Sequence, residues 1–148
     1  MSTLVGPGQR YLVDTSAHAR LGDPAVRNII AGLIADRAAA TCVTVDLQAG
    51  YSGRDYVDVQ AIAERRRALY VTLPMSERIA ERARDVQIRM AARGQHRAAG
   101  VIDLLTAAVA EHHGAVVLHH DADLRAHRGH HRPAACVGRT TGVHRLTA

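Results

Sequence analysis

Lysine, phenylalanine and tryptophan are absent from this chain of 148 residues, and tyrosine occurs only four times. Apolar residues make up 47% of it, enough for a core, but that core has to be aliphatic. All the basic residues are arginine, 19 in number. Together with abundant alanine, this Arg-for-Lys choice reads mostly as the mutational bias of a GC-rich genome. Two cysteines, Cys42 and Cys136, are too few for a disulfide framework and read as buried thiols in a reducing cytoplasm. No apolar run approaches the roughly 18–20 residues of a membrane helix. The opening MSTLVGPGQR lacks an apolar segment and is broken at Gly6-Pro7-Gly8, so no signal peptide is expected.

The formal net charge is +5, which favours a polyanionic partner. The length suits a single domain. Strand and helix signals alternate along it. Arg10–Val13 reads as a strand ending at Asp14, and Asp14-Thr15-Ser16 supplies helix-capping groups. Val26, Ile29, Ile30, Leu33 and Ile34 keep helical spacing behind Pro24. Thr41–Val43 reads as a second strand, with Thr44 as the cap of a helix carrying Asp46. Residues 50–53 break that helix. Another spans 54–69, and 70–73 reads as an extended link. A longer helix starts at Ser76, with Ile79, Ala83, Val86 and Met90 as its apolar stripe. Then come a helix over 101–113, a stop at Gly114 and a strand over 115–120. A short helix after Asp121 and a last strand near 134–137 complete the pattern. Such alternation favours a parallel sheet covered by helices on its faces, with sites outside the carboxyl ends of its strands.

Four acids fall at positions of that kind. Asp14 closes the first strand, Asp46 follows the second, Asp103 lies in the first turn of a helix and Asp121 closes a strand. From Asp103 the helix climbs roughly 15 Å, and the following strand returns roughly 16 Å. Asp121 is therefore expected to come home near Asp103. Each acid alone reads as an ordinary cap worth about 1 kcal/mol; four together read as a site. Clustered carboxylates repel one another, and unless a cation compensates, some pKa values rise. With lysine absent, a divalent ion is the simplest compensation, and oxygen ligation suits Mg²⁺ or Mn²⁺. A metal so held suits phosphodiester hydrolysis.

The stretches YLVDTSAHAR (11–20), TCVTVDLQAGYSGR (41–54) and ARGQHRAAGVIDLLTAAVAEHHGAVVLHHDADL (92–124) resemble the PIN-domain ribonuclease toxins of the VapC type. The resemblance covers most of residues 10–125, with order and spacing kept. It implies a three-layer α/β/α sandwich with a central, mostly parallel sheet. It places a single PIN-like domain at 10–140, between an N-terminal extension (1–9) and a tail (141–148). It implies cytoplasmic, Mg²⁺- or Mn²⁺-dependent endonucleolytic cleavage of RNA by a homodimer that a cognate VapB antitoxin neutralises. By motif, Asp14, Asp46, Asp103 and Asp121 match the catalytic acids, with Asp14, Asp103, Asp121 and Asp123 as metal ligands and Ser16 and Thr15 in support. Asp46 stands where the family usually has Glu, Ile102 where many members have Pro, and Leu124 where Phe is usual. The first departure keeps open a second reading: a catalytically weak or inactive PIN-like module that binds RNA or a partner protein.

Other features carry less. The ten histidines, eight of them at or beyond His112, show no zinc-site spacing with cysteine partners. A phosphotransferase of the haloacid-dehalogenase type has Asp where this chain has Ser16, and a receiver domain requires the missing lysine. Arg78, Arg82, Arg89 and Arg93 share one helical face. They form either a solvated face paired with Glu77 and Glu81 or a phosphate-contacting stripe; Arg65-Arg66-Arg67 is expected to be exposed and allows the same two readings. If arginines grip phosphates, RNA affinity of a cleavage-deficient variant falls steeply and linearly on a log–log salt titration. A flat titration removes the arginine stripe from RNA binding.

Overall fold

The computed structural model describes residues 8–119. Four strands, β1 (Tyr11–Val13), β2 (Ala39–Thr41), β3 (Val71–Thr72) and β4 (Val116–Leu118), form one sheet in the order β3-β2-β1-β4, and every pairing is parallel. Six helices connect them: α1 (Thr15–His18), α2 (Pro24–Ala35), α3 (Val43–Tyr51), α4 (Tyr56–Leu69), α5 (Glu77–Ala91) and α6 (Val101–His113). Parallel strands need crossovers, and here each crossover is a pair of helices. The expected strand over 134–137, the helix after Asp121, and Asp121 and Asp123 themselves lie outside the described residues.

Side chains alternate across the short strands and divide the core into two layers. Leu12, Ala40 and Val117 pack with Val45 of α3, Ile79 and Ala83 of α5, and Ala108 to Ala110 of α6. Tyr11, Val13, Ala39, Val116 and Leu118 face the other way, against Ala17 of α1, Val26, Ile30 and Leu33 of α2, and Tyr70. The result is the three-layer sandwich expected from the alternation, with a core that is aliphatic apart from Tyr11 and Tyr70.

Local chemistry sets the element ends. Asp14, Asp23, Asp55 and Ser76 each cap a helix through the side chain. Gly114 ends α6 in the left-handed region at φ 62°, where a side chain is disfavoured. Gly53 is required for closeness, since a Cβ there would meet Val59 Cγ2 at 2.6 Å.

Two sequence expectations shift. The second strand stops at Thr41 and α3 already begins at Val43, capped by the backbone of Cys42. Thr44 is thus not a cap. It is buried inside the first turn, and its hydroxyl bonds that of Thr106 at 2.8 Å. Small Ala38, Ala39 and Ala40 fit closely beside β1, and burial of Thr44 and Val45 in a helical turn overrides the β preference of the valines there, with Val43 left exposed. The 70–73 link also contributes Val71 and Thr72 to the sheet as its edge strand.

Ile79 is fully buried whereas Ile88, on the same helix, is 68% exposed. Ile79→Ala should therefore cost about 2–5 kcal/mol in urea denaturation, and Ile88→Ala no more than about 0.5 kcal/mol. Equal losses would mean that α5 is packed by a different face.

Candidate active site

Strand pairing assembles the site. Val13 of β1 stands opposite Leu118 of β4, and the Asp14 amide donates to the Leu118 carbonyl at 3.2 Å. The end of β4 therefore lies beside Asp14. The Thr44–Thr106 bond ties the start of α3 to α6 one turn beyond Asp103. Asp14, Asp46 and Asp103 thus occupy one edge of the sheet, though in three different settings.

Asp14 is the N-cap of α1. Its Oδ2 accepts from the Ser16 hydroxyl at 2.8 Å and the Ser16 amide at 3.3 Å, and lies 3.4 Å from His119 Nδ1. All three contacts fall on one oxygen, so Oδ1 is left without a donor among the described residues. Burial works to raise the pKa of this carboxyl. The hydrogen bonds from His119 and Ser16 and the His119 charge outweigh burial and hold it at about 2. The upward shift expected of a crowded acid is not what Asp14 shows, because its neighbours among the described residues are donors rather than bare carboxylates.

Asp14 opens onto a cavity of about 640 Å³, lined also by Thr15, Ser16, His18, Gln48 and Arg66. Thr15 is fixed there by its hydroxyl, which donates to Gln48 Oε1 at 2.9 Å. His18 Nδ1 lies 3.2 Å from the Tyr70 hydroxyl. Burial, then the charges of Arg66 and Arg65, lower the His18 pKa.

Asp46 lines an adjoining cavity between α3 and α4, with Leu47, Val59 and Arg67. Its Oδ1 accepts from Thr41 Oγ1 at 2.7 Å and from Arg66 Nε at 2.6 Å. The arginine side chain is 3% exposed and that of Asp46 36%. Arg66 Nη2 also donates to Thr41 Oγ1 at 2.7 Å, and the guanidinium carbon sits 4.9 Å from the Tyr70 ring centre. The expectation that residues 65–67 are all exposed fails at Arg66. Ile62, Arg66 and Tyr70 are spaced i, i+4, i+8, so Arg66 falls on the inward stripe of α4, a signal the sequence contained. His18, Gln48 and Tyr70 carried no comparable signal, since their partners are distant in the chain.

Asp103 is exposed in the first turn of α6, where its Oδ2 accepts from the Gly100 amide at 3.2 Å, as in a capping box. Among the described residues no three His, Cys, Asp or Glu side chains gather closely enough to hold a metal. On α5, Arg82 forks onto Glu111 at 2.9 Å and reaches Asp85 at 3.2 Å, and Arg89 pairs with Asp85 at 2.9 Å. Their acids are Asp85 and Glu111, not the local Glu77 and Glu81; Glu77 pairs with Arg84.

A parallel sheet with acids at its carboxyl edge and this helix order defines a PIN domain, and the PIN domain family matches residues 11–129. The chain is 37% identical to ribonuclease VapC21 of Mycobacterium tuberculosis over 114 residues, covering 77% of this chain and 83% of the relative. It is 40% identical to ribonuclease VapC51 of the same organism over 114 residues, covering 77% and 82%. The crystal structure of VapBC2 from Rickettsia felis bound to a DNA fragment from their promoter shares the fold, with a TM-score of 0.64 at 14% identity over 80% of this chain and 92% of that one. The chain belongs to the PIN-domain family and, within it, to the VapC group.

The depressed pKa of Asp14 makes a stability prediction. A carboxyl held at about 2 against an ordinary 3.8 contributes about 2 kcal/mol when ionised in both states. That contribution is complete above about pH 4 and is lost as pH falls through about 2. Asp14→Asn should therefore be the less stable protein at neutral pH, with the difference closing in acid. Urea melts of both proteins from pH 7 to pH 2 test this, and a gap that widens in acid refutes it.

Proposed function

We propose that this chain is a divalent-metal-dependent endoribonuclease toxin. The observation that carries the reading is Asp14, an ionised carboxylate with one oxygen free of donors among the described residues, at the mouth of a cavity on the carboxyl edge of the sheet. Membership of the VapC group supports RNA as substrate. Asp14 and Asp103 would hold the ion, with Asp121 and Asp123 of the same motif. Oxygen donors of this kind suit Mg²⁺, with Mn²⁺ as a substitute. A bound ion of this type activates a water and stabilises the leaving oxygen of a phosphodiester.

The protein's own residues do the rest. Ser16 and His119 fix the Asp14 rotamer from one side, which keeps the other oxygen presented. The Thr15–Gln48 bond stiffens the cavity wall. Arg78 and Arg93 are the stripe members proposed as the main RNA contacts, since Arg82 and Arg89 already have carboxylate partners. The proposed setting is the cytoplasm and the proposed assembly a homodimer, restrained by a VapB-type antitoxin. No helix among the described residues is long and apolar enough to cross a membrane.

The engagement of Asp46 by Arg66 favours a slow enzyme over a fast one, and its limit is the second reading, a module that binds RNA without cutting it. Single-stranded RNA incubated with the chain should be cleaved, cleavage should stop on chelation, and Mg²⁺ or Mn²⁺ should restore it. Asp14→Asn and Asp103→Asn should each lower the rate by at least about a hundredfold. Binding without metal-dependent cleavage selects the second reading, and full activity in either variant removes that acid from the site.

A further inference from the structure

Arg66 is the buried charge that the proposed chemistry leaves unused. Three hydrogen bonds close a triangle: Arg66 Nε to Asp46 Oδ1, Arg66 Nη2 to Thr41 Oγ1, and Thr41 Oγ1 to Asp46 Oδ1. Nη1 is buried and has no partner among the described residues. The guanidinium is thus placed to serve Asp46 and Thr41 rather than to satisfy all its own donors. A buried polar group left unpaired is unfavourable, so a residue retained in that position needs a compensating role.

We infer that Arg66 is a positioning residue that keeps Asp46 as its own partner, away from direct contact with the metal of the proposed site. The inference rests on the metal-dependent reading and assigns the acids within it. Both donors converge on Oδ1, so only Oδ2 remains for any further contact. A divalent ion on Oδ2 would share one carboxylate with a guanidinium, and the two positive charges repel through a poorly hydrated wall. Asp46 is one methylene shorter than the family's usual Glu, which also limits its reach. It lines the α3–α4 cavity, while Arg66 lines the cavity of Asp14. Asp14 and its companions therefore hold the metal, and Asp46 holds a fixed cation at the wall of the same cavity, where a phosphodiester brings negative charge. A guanidinium suits that place because it stays charged at any working pH.

The test is a Mg²⁺ titration of the full chain by NMR, following the Arg66 Nε–H signal and the amides of Asp14 to Ser16. The Arg66 signal should be displaced in Asp46→Asn and should hold its place in the unsubstituted protein while Mg²⁺ moves the amides. The Mg²⁺ midpoint of Asp46→Asn should stay within about twofold of the parent, whereas Asp14→Asn should weaken it about tenfold or more, as loss of a ligand does. Arg66→Gln should tighten the midpoint by about three- to tenfold, because it releases a carboxylate and removes a competing charge. Arg66→Lys, which keeps the charge, should not. A merely structural role for Arg66 predicts weaker binding in Arg66→Gln, the opposite sign. If Arg66→Gln does not fold, Arg66→Lys and Asp46→Asn decide. An Arg66 signal that moves with the same midpoint as the Asp14 amides overturns the inference, as does an Asp46→Asn midpoint as weak as that of Asp14→Asn. No amide response at all overturns the metal-dependent reading instead, while a displaced Arg66 signal in Asp46→Asn still upholds the pair.

Discussion

The parallel register of β1 with β4 on one side and β2 on the other is the constraint on which the site depends. Parallel strands bring all their carboxyl ends to one edge, so Val13, Leu118 and Thr41 finish at the same level. The residues just beyond them, Asp14, His119 and Cys42, then meet the first turns of α1 and α3. A register slip of one residue would send Leu12 and Val117 to the wrong core layer. The two core clusters therefore hold the register, and the register holds Asp14 beside the end of β4.

Charge is managed by partners that the composition does not reveal. A chain without lysine still surrounds its acids with cations and donors. Arg66 comes to Asp46 from twenty residues away, and His119 comes to Asp14 from the far end of the described chain. A buried ion pair of this kind is no large source of stability, because removing charges from water is costly. Breaking it from one side is nevertheless expensive, about 3–5 kcal/mol where both groups are deeply buried. Asp46 is half-open to solvent, which softens that figure. The pair is better understood as a device that fixes geometry than as one that holds the fold together.

The surface of α5 shows the other use of arginine. Arg82 joins α5 to α6 through a forked contact with Glu111, and each group favours the charged form of the other. Exposed pairs contribute little individually, ~0–1 kcal/mol. They do, however, set which arginines on that face remain available to a phosphate backbone.

Much of the fold was legible because its signals are local. Helical spacing in 24–35, 77–91 and 101–113, the caps at Asp14 and Ser76, and the stop at Gly114 act within one or two turns, and each lies where the pattern placed it. The order of acids along the chain was legible for the same reason, as was the relation to the VapC group. The boundary between β2 and α3 was not, because Val43 prefers a strand until burial of Thr44 and Val45 against the core around Thr106 and Ile79 fixes the helical turn. The partners of the acids were also hidden. Sequence determined which carboxylates stand at strand and helix ends and, through the spacing of Ile62, Arg66 and Tyr70, that Arg66 lies on the inward stripe of α4. Only the packing of α4 onto the sheet decided that its partner is Asp46, because the choice of partner depends on distance in space, which no spacing along the chain records.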